Sequence, residues 1–132
     1  MKYMLDTNIC VYIIKKKPEH VFQRLRENMD EGISISSITL AELEYGVAFS
    51  VQQEKNADAL AQFLAMIEVL PFEERAAAEY GLIRADLRRK GTPIGALDEL
   101  IAAHAKGNGL VLVTNNTREF ERVAGLAIEN WA

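Results

Sequence analysis

The chain has one cysteine, Cys10, so it can form neither an intramolecular disulfide nor a multi-cysteine zinc site. Cys10 stands inside the apolar run Ile9–Ile14, where its ordinary role is that of a small buried hydrophobe. Excess positive charge is also missing. Fifteen Lys and Arg against 19 Asp and Glu give a net charge of −4, the reverse of a general nucleic-acid-binding surface. That balance still admits a nucleic-acid substrate, because a bound divalent cation and a local basic patch can offset the acids. No apolar run is long enough to span a bilayer. Ile9–Ile14 leads straight into Lys15, Lys16 and Lys17, whereas a signal peptide carries its charges before the apolar stretch. The expected location is cytoplasmic, with no membrane partner.

Linkers, repeats and low-complexity tracts are absent, and 132 residues suit one core, so a single domain over 1–132 is expected. Gly91, Gly95, Gly107 and Gly109 form neither a dinucleotide fingerprint nor a phosphate-binding loop. His20 and His104 are too isolated for a zinc site, and His104 on an apolar helix reads as a core histidine. Ser34, Ser36 and Ser37 lack a nucleophile-elbow context.

What is present is alternation. Tyr3–Leu5, Ile33–Ile35, Val69–Leu70, Leu110–Val113 and Leu126–Ile128 read as short strands. Helical spacing runs through Ile9–Lys16, Val21–Met29, Ile38–Phe49, Ala57–Ile67, Ala76–Arg89 and Leu100–Ala105. The expected fold class is α/β: a three-layer α/β/α domain around a mostly parallel sheet of four to five strands. Ligands of such sheets bind beyond the carboxyl ends of the strands.

Polar residues stand at those ends. Asp6 follows the first strand, and Glu42 lies on the helix after "ISISS". Asp98 opens "DELIAAHA", and Asn116 and Glu119 follow the strand "LVLV". Gathered carboxylates suit a hard cation such as Mg²⁺ or Mn²⁺, which takes oxygen ligands. Two carboxylates about 4 Å apart repel by roughly 4 kcal/mol at an effective dielectric of ~20, so without a cation one would protonate or move away. The alternatives stay open residue by residue. Asp6, Thr7 and Asn8 are each good helix N-caps, and Asp98 could be a first-turn acid favoured by the helix dipole. Glu42 falls beside Tyr45 and Phe49 at helical spacing, a partly enclosed setting, though a solvated face is the commoner one. Glu44, Glu73, Glu74, Glu99, Glu121 and Glu129 read as solvated surface.

Four stretches carry a resemblance: "MLDTN" at the start, "ISSITLAELEYG" at 35–46, "GTPIGALDELIAAHA" at 91–105 and "LVLVTNNTREFERVAGLAIENW" at 110–131. Together they resemble the PIN-domain ribonucleases, specifically the VapC toxins of bacterial toxin–antitoxin pairs. The resemblance covers essentially the whole chain. It implies that Asp6, Glu42 and Asp98 are the metal-binding acids, Glu42 directly or through water. Many PIN domains carry a fourth acid near Asn116; here the motif is "TNNTREF", which leaves Asn116 and Glu119 both as candidates. Thr7 and Asn8 would orient the first acid, with Thr114 near the cluster. Helix capping is then expected to fall to Thr7 or Asn8, leaving Asp6 free for the metal. A second departure is "GALD", where Ala96 and Leu97 precede the acid and bear on loop shape and substrate fit.

The same resemblance implies a Mg²⁺- or Mn²⁺-dependent endoribonuclease that cleaves structured RNA such as tRNA. It implies a homodimer wrapped by a VapB-type antitoxin, in a larger toxin–antitoxin assembly that meets operator DNA only through the antitoxin. Candidate phosphate guides are Lys15, Lys16, Lys17, Arg84 and Arg88, although such runs are commonly solvated surface. Two rival readings remain. One is a catalytically silent interaction module whose acids only cap helices. The other is an aspartyl-phosphate phosphohydrolase, which usually places a second acid two residues after the first, where this chain has Asn8.

Overall fold

The computed structural model describes residues 1–132. Its centre is a five-stranded sheet in which every neighbouring pair is parallel. The strands are β1 (Tyr3–Leu5), β2 (Ile33–Ser36), β3 (Glu68–Leu70), β4 (Val111–Val113) and β5 (Ile128–Glu129), in the spatial order β3-β2-β1-β4-β5. The helices are α1 (Thr7–Lys15), α2 (Glu19–Glu27), α3 (Ser37–Phe49), α4 (Gln53–Leu64), α5 (Glu74–Arg89), α6 (Ala96–Gly107) and the single turn α7 (Thr117–Phe120). None is long and apolar enough to cross a membrane.

Strand order decides where the helices go. From β1 the chain steps outward through β2 to β3, then returns to the other side of β1 for β4 and β5. Right-handed crossovers running in opposite directions put their helices on opposite faces. Two cores result. Tyr3, Leu5, Ile33, Ile35 and Val113 face α1, α2 and α4, with Trp131 closing that layer. Met4 and Leu112 point the other way, onto α5 and α6. This is the period-2 alternation of strand side chains, apolar on both faces because both are covered. Fully buried Ala102, Ala103 and Ala105 let α6 lie close to α5, and at Gly107 an added Cβ would stand 3.1 Å from the Arg75 carbonyl oxygen.

A buried polar tie joins the two layers. Ser36 Oγ caps α3 by accepting from the Ile38 N–H at 3.0 Å, and it lies 2.7 Å from His104 Nδ1 on α6. Burial pushes the His104 pKa down, in keeping with a core histidine.

Differences from the sequence expectation lie mainly at helix starts. Helices α1, α2, α4, α5 and α6 begin two to four residues early, at Thr7, Glu19, Gln53, Glu74 and Ala96, because first turns carry little apolar signal. The turn α7 was not expected; it buries only Phe120. Glu129 is not free surface: it pairs with Arg24 at 3.1 Å and accepts from Trp131 Nε1–H at 2.8 Å. Glu99 is a larger correction. It is 5% exposed, because it precedes Ala102 and Ala103 by three and four residues on the buried stripe of α6.

Candidate active site

The strand order reverses at β1, whose two neighbours are β2 and β4, so the crevice of this sheet opens between the carboxyl ends of β1 and β4. Asp6 follows β1 and Thr114 follows β4, and the two meet there: Thr114 Oγ1 donates to Asp6 Oδ2 at 2.8 Å. The Asp6 backbone is held as well, its N–H donating to the Val113 carbonyl at 2.8 Å.

Asp6 is itself the N-cap of α1, accepting from the Thr7 N–H through Oδ1 at 2.8 Å. This corrects the expectation that Thr7 or Asn8 would cap the helix and leave Asp6 free. Capping and ligation are compatible here, because each carboxylate oxygen has two lone pairs and each has accepted one bond. The Thr7 hydroxyl is instead turned across to α3, donating to Glu42 Oε1 at 2.7 Å. Asn8 is exposed and makes no side-chain hydrogen bond in the cluster.

Glu42 is half-buried, though not by the aromatics one turn on. Tyr45 and Phe49 are 67% and 78% exposed and stack on each other, with ring centroids 5.7 Å apart. The half-buried Asp98 lies in the first turn of α6, whose N-cap is Gly95. At Gly95 an added Cβ would stand 3.3 Å from Asp98 Oδ2 and 3.9 Å from Glu119 Oε1, so the lack of a side chain leaves room between these acids. Asn116 and Glu119, both candidates for the fourth position, are bonded to each other. Asn116 Nδ2 donates to Glu119 Oε2, and Glu119 Oε1 accepts from the Gly95 N–H at 2.9 Å.

The electrostatics record how close these acids are. Burial raises the Asp6 pKa, opposed by the hydrogen bonds from Thr114 and Thr7, with Glu42 and Glu119 adding to the rise. Asp98 is pushed up to about 7, first by burial and then by the charges of Asp6, Glu119 and Glu42. No lysine or arginine offsets them: the ion pairs of the fold are Arg24–Glu129, Lys90–Asp86 and Lys106–Glu79. Cys10, buried beneath the cluster, has its thiol pKa raised by burial and by Asp6, and plays no polar part.

The donor set is therefore hard oxygen with uncompensated negative charge, which suits Mg²⁺ or Mn²⁺. No three of the acids stand close enough to share one ion as they lie. Glu42 and Glu119 are held back by Thr7, Gly95 and Asn116 and would have to turn inward.

Among the candidate phosphate guides, Lys15 alone lines the groove beside Thr7 and Glu42. Lys16 sits over the Phe22 ring, and Lys17 is exposed. Arg84 and Arg88 line a different groove, with Glu99. The parts that sequence reasoning missed are the Gly95 N–H, which a backbone group cannot announce, and Glu99, whose place on the apolar stripe was readable.

Thr114 offers a test of this geometry. Thr114→Val removes a hydrogen bond that favours the Asp6 carboxylate and keeps the side-chain shape, so the Asp6 pKa rises further. The acid limb of the pH–rate profile is expected to move to higher pH; an unmoved limb contradicts the role given to Thr114.

The family model for the PIN domain matches residues 3–126. The chain belongs to the PIN-domain family. Within it, the chain is 50% identical over 131 residues to the tRNA(fMet)-specific endonuclease VapC of Salmonella typhimurium, covering 99% of this chain and 98% of that one. It is 46% identical to ribonuclease VapC2 of Haemophilus influenzae strain Rd, with the same coverage. Among solved structures, VapBC2 from Rickettsia felis, bound to a DNA fragment from its promoter, superposes with a TM-score of 0.95 at 44% identity, with both chains fully covered. This PIN domain is thus of the VapC type along its whole length.

Proposed function

We propose that this VapC-type PIN domain is a Mg²⁺- or Mn²⁺-dependent endoribonuclease that hydrolyses phosphodiester bonds in a structured RNA, with tRNA as the first candidate. The observation that carries the reading is the cluster of Asp6, Glu42, Asp98 and Glu119 at the sheet's switch point, without a countercharge of its own. Relatives named as ribonucleases and as tRNA-specific endonucleases, at 46–50% identity over nearly the full length, favour RNA over other phosphodiesters.

Asp6, Asp98 and Glu42 would hold the cation. A bound divalent ion supplies Lewis acidity at the phosphate and makes nearby water more acidic. The chain's own residues do the rest. Thr7 and Thr114 fix Asp6 by its two oxygens, and the Thr7 hydroxyl carries Glu42. Asn116 and Glu119 together present an amide donor and a carboxylate acceptor with which to orient the attacking water. Lys15 lies on the groove next to Glu42, where an incoming phosphate can pass.

As a VapC-type toxin the chain would act as a homodimer with a VapB-type antitoxin, and would meet operator DNA through that antitoxin alone. Support for the antitoxin and for the DNA comes from two structural neighbours, VapBC2 of Rickettsia felis and VapBC of Salmonella typhimurium, both bound to DNA. The aspartyl-phosphate alternative is disfavoured because position 8, where such enzymes usually place a second acid, is an asparagine.

End-group analysis of cleaved tRNA tests the proposal. Attack by water leaves a 5′-phosphate on one fragment and a free 3′-hydroxyl on the other, with cleavage abolished by EDTA. Fragments ending in a 2′,3′-cyclic phosphate, or cleavage that survives EDTA, would overturn it.

A further inference from the structure

Beside the acid cluster, the last turns of α5 and the 91–96 segment enclose a groove of about 470 Å³, lined by Arg84, Arg88, Ile94 and Glu99 among others. Its wall is pinned to the active site. Arg122 donates to the Pro93 carbonyl at 3.0 Å, and the Gly95 N–H donates to Glu119 at 2.9 Å. Glu99 is the neighbour of Asp98 on the first turn of α6, so the groove and the acids share one helix start.

The place of Glu99 on α6 accounts for its burial but leaves its carboxylate without a hydrogen-bond or ion-pair partner. The residue is 5% exposed, its buried Oε2 has no hydrogen-bond partner, and neither arginine of the groove forms an ion pair with it. A buried acceptor left unsatisfied costs stability and calls for a reason. Arg84 is steadied by the Tyr80 hydroxyl and ring, and Arg88 is exposed at the helix end. Guanidinium groups suit a phosphate, and an unmatched carboxylate suits N–H donors. A ligand carrying both within one groove is a nucleotide. Among the bases, guanine sets two adjacent N–H donors on its Watson–Crick edge, which matches the two oxygens of a carboxylate once the Glu99 side chain turns to bring Oε2, sealed from solvent as it lies, to the groove; adenine, cytosine and uracil offer a poorer match.

We propose that this groove binds one nucleotide of the RNA strand next to the cleaved bond, guanine above the others, with Glu99 reading the base and Arg84 and Arg88 holding the phosphate. The proposal rests on the ribonuclease reading above, and its test is separable from it. Calorimetric titration of the purified protein with GMP, AMP, CMP and UMP is expected to show GMP binding about tenfold or more tighter than the others, the scale of a good bidentate contact. Glu99→Gln, which keeps the shape and loses one acceptor, is expected to erase that preference. The double substitution Arg84→Ala, Arg88→Ala on the solvent side should weaken all four nucleotides alike. Equal affinities for the four nucleotides, or an unchanged preference in Glu99→Gln, would overturn the proposal; a groove that instead receives a basic side chain of a protein partner gives this result. GMP preference in a protein that cleaves no RNA would sink the ribonuclease reading while the subsite stands. RNA cleavage without nucleotide discrimination would sink the subsite alone.

Discussion

Asp6→Asn is expected to lower RNA cleavage by at least about a thousandfold, equivalent to ~4 kcal/mol of transition-state stabilisation, with the fold intact. The substitution keeps the volume of the side chain and one oxygen, which can still cap α1 by accepting from the Thr7 N–H. What it removes is the charge at the centre of the cluster. Asp6 is the acid most tightly fixed, through Thr7 and Thr114, and it is among the charges that raise the Asp98 pKa. The measurement is a single-turnover cleavage rate alongside a thermal melt. A rate within tenfold of the parent in a variant that melts normally would remove Asp6 from the machinery.

The second large effect runs in the opposite direction. Asp98→Asn is expected to abolish cleavage and yet stabilise the metal-free protein at pH 8, raising its Tm by about 2–6 °C. The sign follows from the pKa. A carboxyl at about 7 in the folded chain, against its ordinary value of 3.8, binds its proton more tightly folded than unfolded. Its favourable contribution is therefore complete below about pH 4 and is lost as the pH rises through 7. At pH 8 the folded state carries a carboxylate crowded by Asp6, Glu119 and Glu42, and the amide relieves it. Three melts check this. At pH 8 without metal the variant should be the more stable, and near pH 4 the difference should vanish. In saturating Mg²⁺ the parent should gain more than the variant. A variant less stable than the parent at pH 8 would mean that Asp98 serves the fold, as the silent-module reading requires.

How much of this was legible in the sequence depends on the kind of signal. The inner strands, buried on both faces, announced themselves as short apolar runs, and with the half-buried edge strands all five were readable to within about two residues, a margin ordinary for element ends. Helix middles were readable for the same reason. Their polar first turns, such as Glu19 and Gln53, were not, because capping and solvation leave no apolar mark. The acids could be gathered on paper because a parallel sheet sends successive strand ends to one edge, and the topology bears that out.

Finer detail depended on which lone pair met which donor, and spacing alone does not carry that. Asp6 both caps and faces the cluster; Thr7 serves Asp6 with its N–H and Glu42 with its hydroxyl. Asn116 and Glu119 looked like competitors for one role because they lie three residues apart, and it is that interval which lets them bond to each other across one helical turn. Tyr45 and Phe49 misled in the other direction: helical spacing placed them near Glu42, yet their rings lie out in solvent.

The central claim is that the acids at the switch point exist to hold a divalent cation. Calorimetric titration of Mg²⁺ into the purified protein at pH 8 tests it most directly. The expected result is saturable binding that disappears in Asp6→Asn. Absence of binding in the parent, or equal binding in the variant, would contradict the account.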